Sequence, residues 1–185
     1  MVLNSISNLN SLTSLSIRDD KETVCFPKEF LRNLTLLESL SILDWRELKG
    51  LPEDLASLVT LKSLKIDLCR KLESLPGEGL RGLESLQSLR IYRCQKVASL
   101  PASIQSLTKL QRIEIVSCGR ELERRCEKGK GEDWYKIAHI PEVSICEEVL
   151  PCSWVMMAAA SIEVAVASDG LLVGRFWAVY GSKVI

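Results

Sequence analysis

Apolar residues along most of this chain follow one short pattern, in which a leucine is followed by apolar residues three and five positions later. Polar residues stand between them, so apolar and polar side chains alternate at the end of each copy. Such alternation predicts a β-strand with one buried and one exposed face. The copies begin at Leu12, Leu37, Leu61, Leu86 and Leu110.

The copies recur at spacings of 25, 24, 25 and 24 residues, and a sixth, Ile140-Val143-Ile145, follows after 30 residues. This period and this consensus are typical of leucine-rich repeats. Each repeat contributes one short strand to a parallel sheet. The sequence therefore predicts an α/β fold, a leucine-rich-repeat solenoid with helical or 3-10 return segments, a C-terminal cap and an appended β-hairpin.

A second motif precedes the strands and predicts the return segments. It pairs an apolar residue with proline and then spaces apolar residues along one turn of helix, as in Leu51-Pro52 to Leu58 and Leu100-Pro101 to Leu107. The same element with one extra residue runs from Phe26 to Leu34 and from Leu75 to Leu83. Proline ends the preceding segment, so a short α-helical or 3-10 turn follows it.

The repeats divide the chain into a solenoid, a cap and a tail. Residues 1–118 hold five predicted strands, and Met1 falls inside a repeat, which predicts a truncated N-terminal repeat and a C-terminal piece of a longer protein. Residues 119–146 predict a short amphipathic helix with a Glu121–Arg125 pair, a glycine turn and a last strand. Trp134 and Ile137 are expected to cover the end of the core.

The tail, residues 147–185, has a different composition, with 6 charged residues against 42 in the preceding 146. Two apolar runs flank Asp169-Gly170, a strong hairpin signal, so one interpretation is a hairpin over residues 162–180. A disordered or spurious tail is a second interpretation. A membrane span is a third, although charged residues interrupt every window of roughly 20 residues.

Charge and composition narrow the function classes. The 24 basic residues balance 24 acidic ones, so no net field favours nucleic acid or an anionic membrane. The N-terminus lacks the basic and apolar regions of a secretory signal, so we expect a cytoplasmic protein without a membrane span. Cys69, Cys94 and Cys118 each follow a strand at the Asn/Cys position of the repeat, which predicts buried free thiols.

The chain offers little for catalysis, metal binding or cofactor binding. Gly77, Gly79 and Gly82 match a dinucleotide-binding fingerprint, but Pro76 precedes them and they align with return-segment residues of other repeats. His139 is the only histidine, which excludes a catalytic triad or a histidine-rich metal site. We therefore predict no catalytic residues, no metal and no cofactor.

The exposed face of the parallel sheet, here called the concave face, is the remaining candidate site. Its residues interleave with the buried ladder and combine charged, serine and apolar side chains, a mixture that suits a protein interface. A solvated face without a partner is the alternative. The predicted partner-binding residues are Ser39, Ser41, Leu43, Ser63, Lys65, Asp67, Ser88, Arg90, Tyr92, Arg112, Glu114 and Val116.

Two longer motifs resemble a known family. Leu-x-x-Leu-x-Ile-x-x-Cys-x-x-Leu-x-x-Leu-Pro occurs at Leu61–Pro76 and, with Val97 for one leucine, at Leu86–Pro101. These motifs, and the ending from Glu123 to Pro141, resemble the C-terminal leucine-rich-repeat region of plant intracellular coiled-coil nucleotide-binding leucine-rich-repeat (NLR) disease resistance proteins. The resemblance covers roughly residues 3–146.

The resemblance implies a non-catalytic recognition and autoregulatory module of a plant immune receptor. Its partners would be a pathogen effector or a guarded host protein, and the nucleotide-binding domain of the parent receptor. No Walker A sequence occurs in this chain, so the nucleotide switch of that family is not expected here. The alternative function is a generic cytosolic leucine-rich-repeat scaffold without a role in defence.

Overall fold

The computed structural model describes residues 11–18, 24–27, 29–146, 162–166 and 174–176. Six parallel strands lie side by side in chain order: β1 (Leu12–Arg18), β2 (Ser39–Leu43), β3 (Ser63–Asp67), β4 (Ser88–Tyr92), β5 (Arg112–Val116) and β6 (Glu142–Cys146). Each strand pairs with the next without a register shift. This open parallel sheet confirms the predicted leucine-rich-repeat solenoid.

The apolar residues of the repeat pattern form the core on one side of the sheet. In β2, β3 and β4 the burial alternates strictly along the strand. Leu64 and Ile66, for example, are fully buried and lie in register with Leu89 and Ile91 of the next strand. Burial of each such side chain contributes roughly 1.5–3 kcal/mol, so the stacked ladder contributes a large share of the stability.

The return segments complete the core, and their length decides their geometry. Glu53–Ser57 and Ala102–Ser106 are 3-10 segments, whereas Gly77–Arg81, which we label α1, is α-helical. After Pro52 the first hydrogen bond spans three residues, but after Pro76 it spans four, because that segment has one more residue. Phe26–Leu34 also has the extra residue, but its described residues form turns and bends and no helix, with Glu29 at a positive φ of 58°.

Each strand from β2 to β5 is followed directly by a residue with left-handed backbone geometry. Asp44, Leu68, Arg93 and Ser117 have φ between 51° and 59°. Their amides still donate to carbonyls of the next strand, so the ladder continues through this turn. Left-handed geometry is unfavourable for residues other than glycine, and the flanking ladder bonds hold it in place.

The cysteine position of the repeat lies directly after this turn. Cys69, Cys94 and Cys118 are buried free thiols, as the sequence predicts. Trp45 occupies the same position in the second repeat and packs against Phe26, with ring centroids 4.4 Å apart. Phe26 also stacks on the buried ring of Phe30, with ring centroids 5.8 Å apart.

The cap contains two short helices, α2 (Arg120–Arg125) and α3 (Trp134–Ile137), followed by β6. Leu122, Cys126 and Ile137 are buried against the last repeat, and Trp134 is partly buried. The predicted Glu121–Arg125 pair is wrong, because Glu121 pairs with Arg124 at 2.8 Å. Arg125 turns inward and pairs with Asp133 instead.

The tail contributes two further strands to the same sheet. Strand β7 (Ile162–Val166) pairs antiparallel with β1, and β8 (Gly174–Phe176) pairs antiparallel with β7. The tail strands therefore extend the sheet at its N-terminal edge. The predicted turn at Asp169-Gly170 and the predicted truncated repeat around Met1 lie outside the described residues. The boundaries 1–118, 119–146 and 147–185 stay predictions.

Candidate interaction face

The parallel register arranges the predicted concave residues in three rows across strands β2 to β5. The first row is Ser39, Ser63, Ser88 and Arg112; the second is Ser41, Lys65, Arg90 and Glu114; the third is Leu43, Asp67, Tyr92 and Val116. Eleven of the twelve are partly exposed. Val116 is the exception: it is only 9% exposed, so its prediction as an exposed contact residue is wrong. Val116 lies in register with Tyr92 and Cys146.

Charged side chains on strands β4 to β6 form a connected network. Arg112 lies between two carboxylates, with Nε 2.5 Å from an oxygen of Glu142 and 3.9 Å from one of Glu114. The hydrogen bond to Glu142 raises the pKa of Arg112 and lowers that of Glu142. The Tyr92 hydroxyl donates to Glu114. Burial, with this hydrogen bond second, raises the pKa of Tyr92 to about 12, so the phenol stays protonated.

A second group of charges lies around Asp67. Its carboxylate is 3.7 Å from the Lys65 ammonium and 3.5 Å from the Arg93 guanidinium. The Lys65 ammonium also lies 5.5 Å from the centre of the Tyr92 ring, a distance at which a cation is attracted to an aromatic face. Tyr92 therefore joins the two groups of charges into one surface.

The N-terminal half of the face is different, because it is lined by small hydroxyl side chains. Ser14, Ser16, Ser39 and Ser41 are all partly exposed, and Leu43 is the single apolar residue beside them. The face thus combines a shallow serine-lined half with a half that carries long charged and aromatic side chains.

The repeat cysteines Cys69, Cys94 and Cys118 are free thiols buried in the core. The side-chain hydrogen bond with Cys69 and burial both raise the pKa of Cys94, and burial raises the pKa of Cys118 to about 11. Thiolates are the reactive form of cysteine, so the raised pKa keeps Cys94 and Cys118 in the unreactive protonated form. Within the described ranges, no three His, Cys, Asp or Glu side chains are grouped so that they could hold a metal ion.

Sequence reasoning missed a buried ionic cluster in the cap. Asp133 is fully buried; its carboxylate lies 2.9 Å from Arg125 Nη2 and 2.7 Å from Lys136 Nζ. It also accepts a hydrogen bond from the Leu100 amide, and Lys136 donates to the Leu100 carbonyl. A buried polar group must find partners inside the protein, so this cluster ties the cap to the fifth repeat. The available signal was the run of charged residues beside the partly buried Trp134 and the buried Ile137.

The pKa of Asp133 shows how well this carboxylate is satisfied. Burial alone raises it, but the hydrogen bonds from Arg125, Lys136 and Leu100 outweigh burial and lower it to about 2. Asp133 is therefore ionised throughout the physiological pH range. His139, which the sequence places among the cap residues, is exposed.

A groove of about 720 Å³ lies at the end of the solenoid, between α2 and β6. Trp134, Ile140, Val143 and Ile145 contribute its apolar surface, and Glu123, Glu127 and Lys128 are among its charged lining residues. Val143 and Ile145 occupy ladder positions but are only partly buried. Strand β6 is the edge of the described sheet, so no described strand packs beyond it.

Comparisons with known proteins agree with the repeat architecture. RGA1 of Solanum bulbocastanum, a putative disease resistance protein, is 49% identical over 146 residues, 79% of this chain and 15% of that protein. Disease resistance protein RGA2 of the same species is 52% identical over 139 residues, 75% of this chain and 14% of that protein. The chain belongs with the leucine-rich-repeat regions of plant disease resistance proteins.

The fold of this disease-resistance repeat region also occurs in a solved structure. The leucine-rich-repeat domain of the type III effector XopL has a TM-score of 0.59 and 27% identity, covering 75% of this chain and 45% of that one. No family model matches the sequence. The aligned part spans about 15% of the length of the curated relatives. Among the described helices, none has the length and apolar character that crossing a membrane requires.

We predict that the isolated repeat region binds neither ATP nor ADP, because its glycine motif is built for packing. The Gly79 amide, which would face a phosphate in a nucleotide site, already donates to the Glu53 carboxylate at 2.6 Å. A β-carbon at Gly82 would lie 2.4 Å from the Ala56 carbonyl oxygen, so this glycine allows two return segments to touch. Isothermal titration calorimetry should show no heat of binding; a micromolar nucleotide site would contradict this assignment.

Proposed function

We propose that this chain is the recognition module of a plant immune receptor and that it binds a protein partner across the concave face. The partner is a pathogen effector or a guarded host protein. The observation that carries this proposal is the exposed strip in which Arg90, Tyr92 and Arg112 lie on adjacent strands. Central arginine and tyrosine side chains contribute most to many protein interfaces. The role is non-catalytic, and the protein acts in the cytoplasm.

The similarity to disease resistance proteins supports a defence role for this surface. A solenoid contributes one exposed triplet per strand, so its concave face can be varied without disturbing the core. The two faces of the same strand can therefore serve stability and recognition separately.

We also propose that the repeat region contacts the nucleotide-binding domain of its parent receptor and holds that domain inactive. Deletion of residues 1–146 from the parent receptor should then cause signalling without a pathogen.

The recognition role is tested by replacing Arg90 and Tyr92 together with alanine. We expect binding to a partner, found by screening the full-length receptor, to weaken by more than about 2 kcal/mol, a hot-spot-sized effect. Neither side chain is part of the buried core, so the double substitution should not change the circular dichroism spectrum. Biolayer interferometry gives the affinity.

The matched control replaces two charges outside the concave face, Glu84 and Lys109, which are exposed in return segments. Their double alanine variant should bind as the wild type does. Glu53 is unsuitable as a control, since it accepts the Gly79 hydrogen bond. Loss of binding in the Glu84 and Lys109 variant, with the Arg90 and Tyr92 variant unaffected, would move the binding site away from the concave face.

A further inference from the structure

The concave face contains one pair of like charges that the fold itself does not need. Lys65 and Arg90 stand directly opposite each other in the register of β3 and β4. Neighbouring strands are about 4.8 Å apart, so the two cations begin from adjacent backbone positions. Like charges in this arrangement destabilise a sheet. Among strands β1 to β6 it is the single in-register pair of like charges on this face.

The neighbouring carboxylates only partly compensate this pair. Glu114 lies 3.5 Å from the Arg90 Nε and Asp67 lies 3.7 Å from the Lys65 Nζ, and both contacts are longer than a charged hydrogen bond. Glu114 also accepts from Tyr92 and lies near Arg112, and Asp67 also contacts Arg93. Each carboxylate is therefore shared with other donors.

Two polar atoms at this place have no hydrogen-bond partner among the described residues. They are the Nε of Arg90 and the Oγ of Ser88, both buried at the atomic level. Ser88 stands two residues before Arg90 on the same face of β4. Buried donors without partners are rare in folded proteins, and each requires an explanation. An acceptor that enters with a shift of the Arg90 side chain, which is 37% exposed, would give both groups a partner.

The surroundings of the pair leave space for such an acceptor. The Lys65 and Arg90 side chains are 35% and 37% exposed. Ser41 lies beside Lys65 in the same row, and Ser63 lies beside Ser88 in the first row. Serine side chains therefore flank the two cations, and the Tyr92 ring centre lies 5.5 Å from the Lys65 ammonium.

We infer that the Lys65–Arg90 pair, with Ser88 beside it, receives the carboxylate of an aspartate or glutamate side chain on the partner protein. The inference rests on the proposed function and specifies the chemistry of the partner at the centre of the face. A carboxylate accepts two hydrogen bonds from an arginine fork and removes the repulsion between the cations. A monoanion fits better than a phosphate dianion, because Asp67 and Glu114 lie within 4 Å of the two cations.

The test uses defined peptides because it must not depend on the identity of the partner. The probes are acetyl-Gly-Tyr-Asp-Tyr-Gly-amide and two matched peptides with asparagine or phosphoserine at the centre. They are titrated into the full ¹⁵N-labelled chain, and the amide signals of Ser63 and Ser88 and the Arg90 Nε–H signal are followed. We expect the aspartate peptide to bind at least tenfold more tightly than the other two.

A pair of matched variants separates a local effect from general attraction between charges. The Lys65→Gln, Arg90→Gln double variant should weaken binding of the aspartate peptide at least tenfold. The Arg70→Gln, Lys109→Gln control loses the same two charges at exposed residues outside the strands and should change binding less than twofold. Removal of cations that repel each other should also leave thermal stability intact.

Three results would overturn the inference: equal binding of the aspartate and asparagine peptides, equal weakening in both double variants, or tighter binding of the phosphoserine peptide. These results leave the proposed function standing if the Arg90 and Tyr92 alanine variant still loses its protein partner. The proposed function fails separately if that alanine variant binds the partner normally.

Discussion

Replacement of Asp133 with asparagine should destabilise the chain by about 3–5 kcal/mol, the range for breaking a buried ion pair by removing one partner. The carboxylate is fully buried and holds Arg125, Lys136 and the Leu100 amide. Without the carboxylate, Lys136 loses its ion pair and Arg125 keeps only the exposed Glu132. The asparagine amide offers one acceptor oxygen where Arg125, Lys136 and the Leu100 amide now share two. A urea titration should show a large fall in the unfolding midpoint.

Glu132→Gln is the matched control for this substitution. Glu132 is the residue before Asp133 and also pairs with Arg125, but its side chain is 60% exposed. Exposed ion pairs contribute roughly 0–1 kcal/mol, so this variant should unfold close to the wild-type midpoint. A similar fall for both variants would show that the cap depends on the Arg125 charge and not on the buried carboxylate.

The depressed pKa of Asp133 adds a prediction about pH. Its pKa is about 2 in the folded chain against 3.8 for the unperturbed side chain, so the ionised form favours folding. Its contribution is complete above about pH 4 and is lost as the pH falls from about 4 towards 2. The stability difference between wild type and Asp133→Asn should therefore shrink over this window. A difference that stays constant down to pH 2 would contradict the assignment.

Replacement of Leu64 with alanine should cost about 2–5 kcal/mol, because it leaves a cavity in the ladder. Leu64 is fully buried between Leu40 and Leu89 in the register of the sheet. The repeats on either side share this interface, so the loss should lower the unfolding midpoint of the whole solenoid in urea.

Lys65→Ala is the control on the adjacent residue and should change stability by less than about 0.5 kcal/mol. Lys65 points to the opposite face and lies opposite another cation, so its removal relieves repulsion while it loses a weak pair with Asp67. Equal effects of the Leu64 and Lys65 substitutions would mean that the strand faces are assigned wrongly.

The concave face shows which features the local sequence pattern can predict. Alternation along each strand correctly separated Leu64 from Lys65, since successive side chains of a strand point to opposite faces. It failed at Val116, which is buried although it occupies an exposed-face position. The burial of a strand residue depends on its three-dimensional neighbours, and that information is absent from the strand itself.

The ion pairs of the cap could not be predicted from residue spacing along the sequence. Spacing on a helix suggested a pair between Glu121 and Arg125, but Arg125 binds Asp133, eight residues away across a glycine turn. A β-carbon at Gly131 would lie 2.1 Å from the Arg125 carbonyl oxygen, so this turn brings backbone segments together. Only the folded cap shows which charge faces inward.

The sequence by itself determined the repeat period, the parallel strands, their buried ladder and the positions of the structural cysteines. It could do so because each repeat meets a copy of itself, so one period of the pattern describes the environment of the next. The tertiary structure alone decided the Asp133 cluster, the unpaired Ser88 and Arg90 atoms, and the burial of Val116. These features join residues from different repeats or from the aperiodic cap, where no repeated neighbour exists to predict the contact.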